Sequence, residues 1–153
     1  MKSHARIVVI GGGAVGCSAA YHLATMGCTD VVLLEMDELT SGSTWHAAGN
    51  CPTYSGSVNI MKMQKYGVEL YGRLSDEVDY PINYSQTGSI RLAHSDERMF
   101  EFKHVQSMAK AQGLDYEIMT PAEMQEYYPF LETHDLEGGL WDPLDGDIDP
   151  SQL

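Results

Sequence analysis

The sequence predicts an α/β protein built on a parallel βαβ unit, and three observations within its first 35 residues carry that expectation. An apolar run, Ile7 to Ile10, leads into Gly11-x-Gly13-x-x-Gly16. A pattern of small and apolar residues at helical spacing (Ala19, Ala20, Leu23, Ala24) then runs to Gly27. A second apolar run, Val31 to Leu34, stops at an acid, Glu35. Strand, glycine turn, helix and strand in this order are the signature of a Rossmann-like dinucleotide-binding unit.

Each glycine stands where a side chain would obstruct. Gly11 makes the tight turn off the strand, Gly13 lets backbone approach a pyrophosphate, and Gly16 lets the helix lie close to the strand. The N–H groups at the helix start, from Gly13 through Ala14, Val15 and Gly16, and the positive end of the helix dipole suit an anion. Glu35 ends the second strand, where its carboxylate would accept from a ribose hydroxyl and repel a 2′-phosphate. A glycine triplet alone also fits an ordinary turn in a parallel sheet; here the strand before, the helix after and the terminal acid all agree with nucleotide binding.

Length and composition narrow the class. A chain of 153 residues with 43% apolar residues has the size of one domain with a real core. No apolar run approaches the ~20 residues of a membrane span, so no membrane association is expected. Only Met1 to Ala5 precede the first strand, which leaves no room for a leader and points to the cytoplasm. Cys17, Cys28 and Cys51 form no metal or disulfide pattern and read as packed thiols, and no metal site is expected. The net charge is -13, and no Lys or Arg follows Lys110. A long basic surface for nucleic acid is excluded.

The elements follow in order. Val31 to Leu34 is continuously apolar, which fits a central parallel strand covered on both faces. Met36 to Pro52 has no period and is rich in Ser, Thr and Gly, so it reads as a loop. From Ser57, Ile60, Met63, Gly67, Leu70, Leu74 and Val78 recur at threes and fours and predict a long packing helix that ends before Pro81. Tyr84 to Gly88 reads as a turn-like entry to a strand, Ser89 to Ala93. Ser95 caps a helix to about Ala111, closed by Gly113, and Leu114 to Met119 reads as a strand. Thr120-Pro121-Ala122-Glu123 is a capping box with proline at N1, so a short helix starts there. Gly138 to Trp141 is a further strand. Asp145-Gly146 reads as a turn, and Asp149-Pro150 as the cap and first turn of a helix that stops at Leu153. With two parallel strands supplied, where a doubly wound domain needs more, the chain is expected to be a piece of a larger protein.

The loop after Glu35 is the second informative stretch. The eleven residues to His46 can reach at most about 35 to 40 Å, enough to travel from the ribose end of a dinucleotide to its reactive ring. Ser43 and Thr44 offer hydroxyls to phosphate or sugar oxygens. Gly42, Ala47, Ala48 and Gly49 leave room for a flat ring. By residue types alone, a surface loop with one exposed histidine explains it equally well. Trp45 reads more simply as core than as a ring-stacking residue. Arg91 reads as a surface salt bridge ahead of a partner for a substrate carboxylate. His22, His94, His104 and His134 read as structural or solvated. Asp145, Asp147 and Asp149 lack the later glutamate of a calcium loop.

Four stretches together carry a resemblance: the fingerprint with Glu35, GSTWHAAG (Gly42 to Gly49), GSIRLA (Gly88 to Ala93) and DGDIDP (Asp145 to Pro150). They resemble the N-terminal FAD-binding part of the dimethylglycine dehydrogenase and sarcosine dehydrogenase family, FAD-dependent oxidoreductases of the D-amino-acid oxidase type. The resemblance covers nearly the whole chain, and the histidine block is its most specific part. It implies oxidation of an N-methylated glycine-type amine, with hydride passing to a flavin covalently joined through its 8α carbon to His46. It implies an imine product that is hydrolysed or captured by tetrahydrofolate in a longer chain. Asn50-Cys51-Pro52 departs from the family's more apolar continuation.

The expected organisation is an N-terminal part of the FAD-binding domain over residues 1–80 and the start of an α+β substrate or cap region over residues 81–153. The expected cofactor contacts are Gly11, Gly13, Ala14, Val15, Gly16, Glu35, Ser43, Thr44, His46, Ala47 and Gly49, with no catalytic base assigned within the chain. The electron acceptor stays open between an electron-transfer flavoprotein and oxygen. The rival readings are a truncated nucleotide-binding module without catalysis of its own, another amino-acid oxidase of the same fold, and an NAD enzyme with the same fingerprint.

Overall fold

In the computed structural model, which describes residues 3–153, the two apolar runs at the start of the chain form a parallel pair. β1 (Ile7–Ile10) and β2 (Val31–Leu34) run in register from Ile7 beside Val31 to Ile10 beside Leu34. Between them α1 (Ala14–Thr25) begins at Gly13, and Gly27, at φ +84°, turns the chain out of the helix. These elements belong to one compact unit, the chain up to Gly49 with Ile148–Leu153.

The expectation that β2 is covered on both faces is corrected. None of its residues is fully buried, Leu34 is exposed, and no residue of α1 is buried. Ile10 is 84% and Val15 86% exposed. Within this chain, two strands and one crossover helix cover the sheet only in part.

The second unit, Asn50–Asp147, begins with β3 (Asn50–Cys51) and α2 (Val58–Val78). The long helix starts after Ser57 as expected, but it buries Met61, Val68, Leu70 and Leu74, while Ile60, Met63 and Val78 of the expected packing face are exposed. It ends at Asp79 in the left-handed region, φ +50°, before Pro81. Next come β4 (Tyr84–Ser85), β5 (Ser89–Ala93) and α3 (Asp96–Lys110). The Ser95 side chain accepts from Arg98 N at the start of α3, as a cap residue should. β6 (Glu117–Met119) is shorter than the sequence suggested. It leads to α4 (Pro121–Tyr127), whose capping box is complete: Thr120 accepts from Glu123 N and Glu123 accepts from Thr120 N.

β7 (Gly138–Asp142) and β8 (Gly146–Ile148) finish two three-stranded sheets, ordered β5-β7-β6 and β3-β8-β4. β7 runs antiparallel to both neighbours, with Ile90 opposite Trp141 and Met119 opposite Gly139. Alternation along these strands splits the core. One face packs Ala93, Leu140 and Tyr116 with Phe102, Val105 and Met61; the other packs Met119 with Met124 and Leu136, flanked by Ile90, Leu92 and Trp141. Gly88, at φ +71°, lies under the Trp141 indole, where an added Cβ would overlap the ring.

The strands β3, β4 and β8 stand where the sequence predicts loop or turn. Gly146 opens β8 and does not close a turn. At the chain's end Asp149 caps a turn, its Oδ1 accepting from Ser151 N at 2.9 Å and Ser151 Oγ at 2.6 Å, and no helix follows among the described residues.

Candidate functional site

The fingerprint folds as its spacing requires. Gly11, at φ +103°, donates its N–H to Leu34 O at 2.8 Å and so ties the turn to the end of β2. A Cβ on Gly16 would overlap the carbonyl oxygen of Gly11, so the helix and the turn approach more closely than any side chain allows. Gly12 N donates to Glu35 Oε2 at 2.5 Å. Met36 N and Asp37 N donate to Glu35 Oε1 at 2.6 and 3.1 Å. These backbone donors, Gly12 foremost, hold the Glu35 carboxyl below its usual range, which keeps it an acceptor. A carboxylate has about four lone-pair sites, so a further donor such as a sugar hydroxyl can still be accepted.

Gly13, the N-cap of α1, has no side chain to cap it. Thr44 supplies the missing acceptor from 30 residues away: Ala14 N donates to Thr44 Oγ1 at 3.0 Å. The loop after Glu35 therefore doubles back. Thr40 N donates to Gly12 O at 3.0 Å, and Thr40 sits in the left-handed region at φ +66°. Trp45 N reaches Thr40 O at 3.3 Å and Ala47 N reaches Thr44 O at 3.1 Å. Ser43 and Ala47 are exposed on these turns, while Gly49 is buried and accepts from Ile148 N at 3.0 Å.

His46 is exposed, and its Nδ1 lies 3.1 Å from Gly42 O. A carbonyl only accepts, so in this contact Nδ1 is the donor and Nε2 lies outside it. Trp45 is not core as expected: it is 56% exposed, and its ring lies 3.9 Å from that of His46, tilted by 35°. An exposed indole on a short turn stacks on the ring beside it.

Residues 6–153 match the family model described as DAO, FAD dependent oxidoreductase. The chain belongs to this family. Dimethylglycine dehydrogenase, mitochondrial, of Rattus norvegicus is 43% identical over 152 residues, which are 99% of this chain and 18% of that protein. Sarcosine dehydrogenase, mitochondrial, of Mus musculus is 37% identical over 99% of this chain and 16% of that protein. The crystal structure of L-proline dehydrogenase from P. horikoshii matches with a TM-score of 0.89 at 30% identity, over 98% of this chain and 39% of that one. The resemblance to dimethylglycine and sarcosine dehydrogenases and the α/β Rossmann-type fold therefore stand, and the chain spans less than a fifth of those two relatives.

The DAO-family cofactor fits the residues present. A Cβ at Gly12, Gly13 or Gly16 would run into Leu39, Thr44 or the Gly11 carbonyl, and the helix start is positive and capped from outside. Among the described residues no group of His, Cys, Asp and Glu could hold a metal ion, and no helix is long and apolar enough to cross a membrane. His94 and His134 are exposed beside Asp135 and Glu132.

Sequence reasoning missed a second polar cluster, in the other unit of this DAO-family chain. Asp145 is 4% exposed and Asp142 fully buried. Asp145 accepts from Thr53 N at 2.6 Å, Ser89 Oγ at 2.5 Å and Arg91 Nη2 at 2.9 Å. Asp142 accepts from Thr53 Oγ1 at 2.5 Å and Leu144 N at 3.1 Å, and Thr53 Oγ1 also meets the Tyr116 hydroxyl at 3.0 Å. The surface salt bridge expected for Arg91 is thus corrected to one with a buried carboxylate, its guanidinium lying 4.5 Å over the Tyr54 ring. Burial pushes the Tyr116 hydroxyl up, and that of Tyr84 up to about 12. The signal that could have found Asp145 was its place between Pro143 and Gly146, where one strand gives way to the next; its partner Thr53 is 92 residues away.

Proposed function

We propose that this chain is the cofactor-anchoring part of an FAD-dependent oxidoreductase acting on an N-methylated glycine-type amine such as dimethylglycine or sarcosine, with the flavin joined to His46. The observation that carries the reading is the setting of His46: Nδ1 lies 3.1 Å from Gly42 O, which leaves Nε2 as the atom for attachment, on a loop fastened to the nucleotide fingerprint at Gly12 and Ala14. The names of the relatives support the substrate class.

In this reading the turn and helix start formed by Gly11, Gly13, Ala14, Val15 and Gly16 receive the diphosphate, the helix dipole supplying the attraction while the N–H groups of Gly11 and Ala14 stay with Leu34 O and Thr44 Oγ1. Glu35 accepts from the ribose, and Ser43 and Thr44 offer hydroxyl groups beside the helix start. Ala47 and Gly49 keep the loop thin, and Nε2 of His46 is the attachment atom. The flavin, when bound, supplies the capacity to accept a hydride from the amine's methyl carbon. Residues 1–80 contribute to the flavin domain and residues 81–153 begin the substrate or cap region. No described residue is assigned to tetrahydrofolate, to the electron acceptor or to a substrate base.

The test is to supply the 153-residue chain with FAD, denature it in acid and follow flavin fluorescence. Flavin retained on the polypeptide and mapped to the peptide containing His46, and lost in His46→Ala, is the expected result. Release of all flavin on denaturation would overturn the covalent assignment.

A further inference from the structure

The Asp142 and Asp145 pair has two buried carboxyl groups and a single counter-cation. Arg91 pairs with Asp145 through Nη2, whereas Asp142 receives a hydroxyl and a backbone N–H and no cation. The titratable groups that face the pair come from every element around it: Cys51 on β3, Tyr84 on β4, Arg91 on β5, Tyr116 before β6, Asp145 in the β7–β8 turn and Asp147 on β8. Arg91 is the one cation among these. Two negative charges side by side in a low dielectric, with one positive charge between them, favour retention of a proton on one carboxyl.

Thr53 joins the two acids, its N–H donating to Asp145 and its hydroxyl to Asp142. It lies two residues beyond β3, next to a cavity of about 280 Å³ lined by Asn50, Cys51, Ser89, Arg91 and Asp145. A purely structural hydrogen-bond cluster would work as well with a neutral amide at residue 142. A carboxyl with no cation there adds something an amide lacks, the ability to change charge.

We propose that Asp142 and Asp145 form a proton latch: with a proton on Asp142 both acids hold Thr53 in place, and release of that proton to water loosens the Asn50–Thr53 segment at the edge of the cavity. Burial first, then the hydrogen bond to Asp145, pushes the Asp142 carboxyl up to about 7. The Thr53 hydroxyl and the Leu144 N–H favour the ionised form, so the loosening comes from the cost of a buried charge and not from a weaker Thr53 bond. The sign follows from linkage. A carboxyl raised in the closed state keeps its proton there while an opened segment ionises near the ordinary carboxylate value, so closure is strongest in acid and weakens as pH rises toward neutrality.

The experiment is amide hydrogen exchange by NMR on the whole chain from pH 4 to 8, corrected for intrinsic exchange, in wild type and Asp142→Asn. The Thr53 protection factor is expected to fall with pH, by at most about tenfold per unit, and to level off above neutrality. Asp142→Asn is expected to hold it constant. A Thr53 protection factor independent of pH in wild type, the same slope in Asp142→Asn, or an equal slope at Leu140 in the sheet centre would overturn the latch. Should Asp142→Asn fail to fold, the carboxyl carbon shift of Asp142 in wild type decides: titration toward neutral pH supports the latch, and titration in the usual carboxylate range overturns it.

Discussion

Replacing Arg91 with Met tests whether the cluster around Asp145 is buried or superficial. Met conserves the apolar stem and removes the charge, leaving two buried carboxylates with no cation. Removal of one partner from a buried pair costs about 3–5 kcal/mol. The guanidinium over the Tyr54 ring at 4.5 Å adds about 0.5–2 kcal/mol. Arg91 itself is 28% exposed, and water screening of that part lowers the sum to about 3 kcal/mol. A superficial pair would cost about 0–1 kcal/mol instead. The assay is urea unfolding at pH 7.5 followed by tryptophan fluorescence, with Arg91→Met, Asp145→Asn and the double variant forming a cycle. The double variant leaves no orphaned charge at Asp145 and is expected to be more stable than Arg91→Met. A loss below 1 kcal/mol in Arg91→Met, or a double variant no better than the single one, would refute the reasoning.

Two further substitutions address the two units separately. Gly16→Ala places a methyl group against the Gly11 carbonyl and is expected to weaken FAD binding at least tenfold, measured by quenching of flavin fluorescence; undiminished affinity would remove the fingerprint from the cofactor site. Gly88→Ala puts a Cβ into the Trp141 indole at a left-handed φ and is expected to cost about 2–4 kcal/mol from overpacking and backbone strain together. A red-shifted Trp141 emission and a lower Tm check it, and an unchanged Tm speaks against the ring position.

Local signals in the sequence account for much of this fold. The strand runs, the glycine turn, Ser95 as a helix cap and the box at Thr120 and Glu123 each act within a few residues, so residue types suffice to read them. The short strands β3, β4 and β8 escaped because their existence depends on pairing across the chain, such as Asn50 with Asp147. Arg91 and Asp145 escaped for the same reason: burial of an ion pair follows from tertiary packing over a span of 54 residues. The cover expected over Val31 to Leu34 failed in the opposite direction, since a continuous apolar run records the environment a strand is suited to, whatever lies against it here. At the candidate site local sequence was enough to place Gly16 in the turn, Glu35 just after β2 and His46 on the loop that follows. It did not reveal that Thr44 caps α1, which depends on the loop doubling back.

The two sheets of the second unit share an order of assembly. In each, the middle strand is the last to be made: β7 lies between β5 and β6, and β8 between β3 and β4. During synthesis at about 5–20 residues per second, the roughly ninety residues from Asn50 to Gly138 take about 4–18 s to emerge, and none of these edge strands has its partner in that time. A ribosome that stalls before Gly138 releases four unpaired strands whose N–H and C=O groups are templates for another chain. Protection of nascent chains therefore matters most over this interval, and it ends within the ten or so residues that complete β7 and β8.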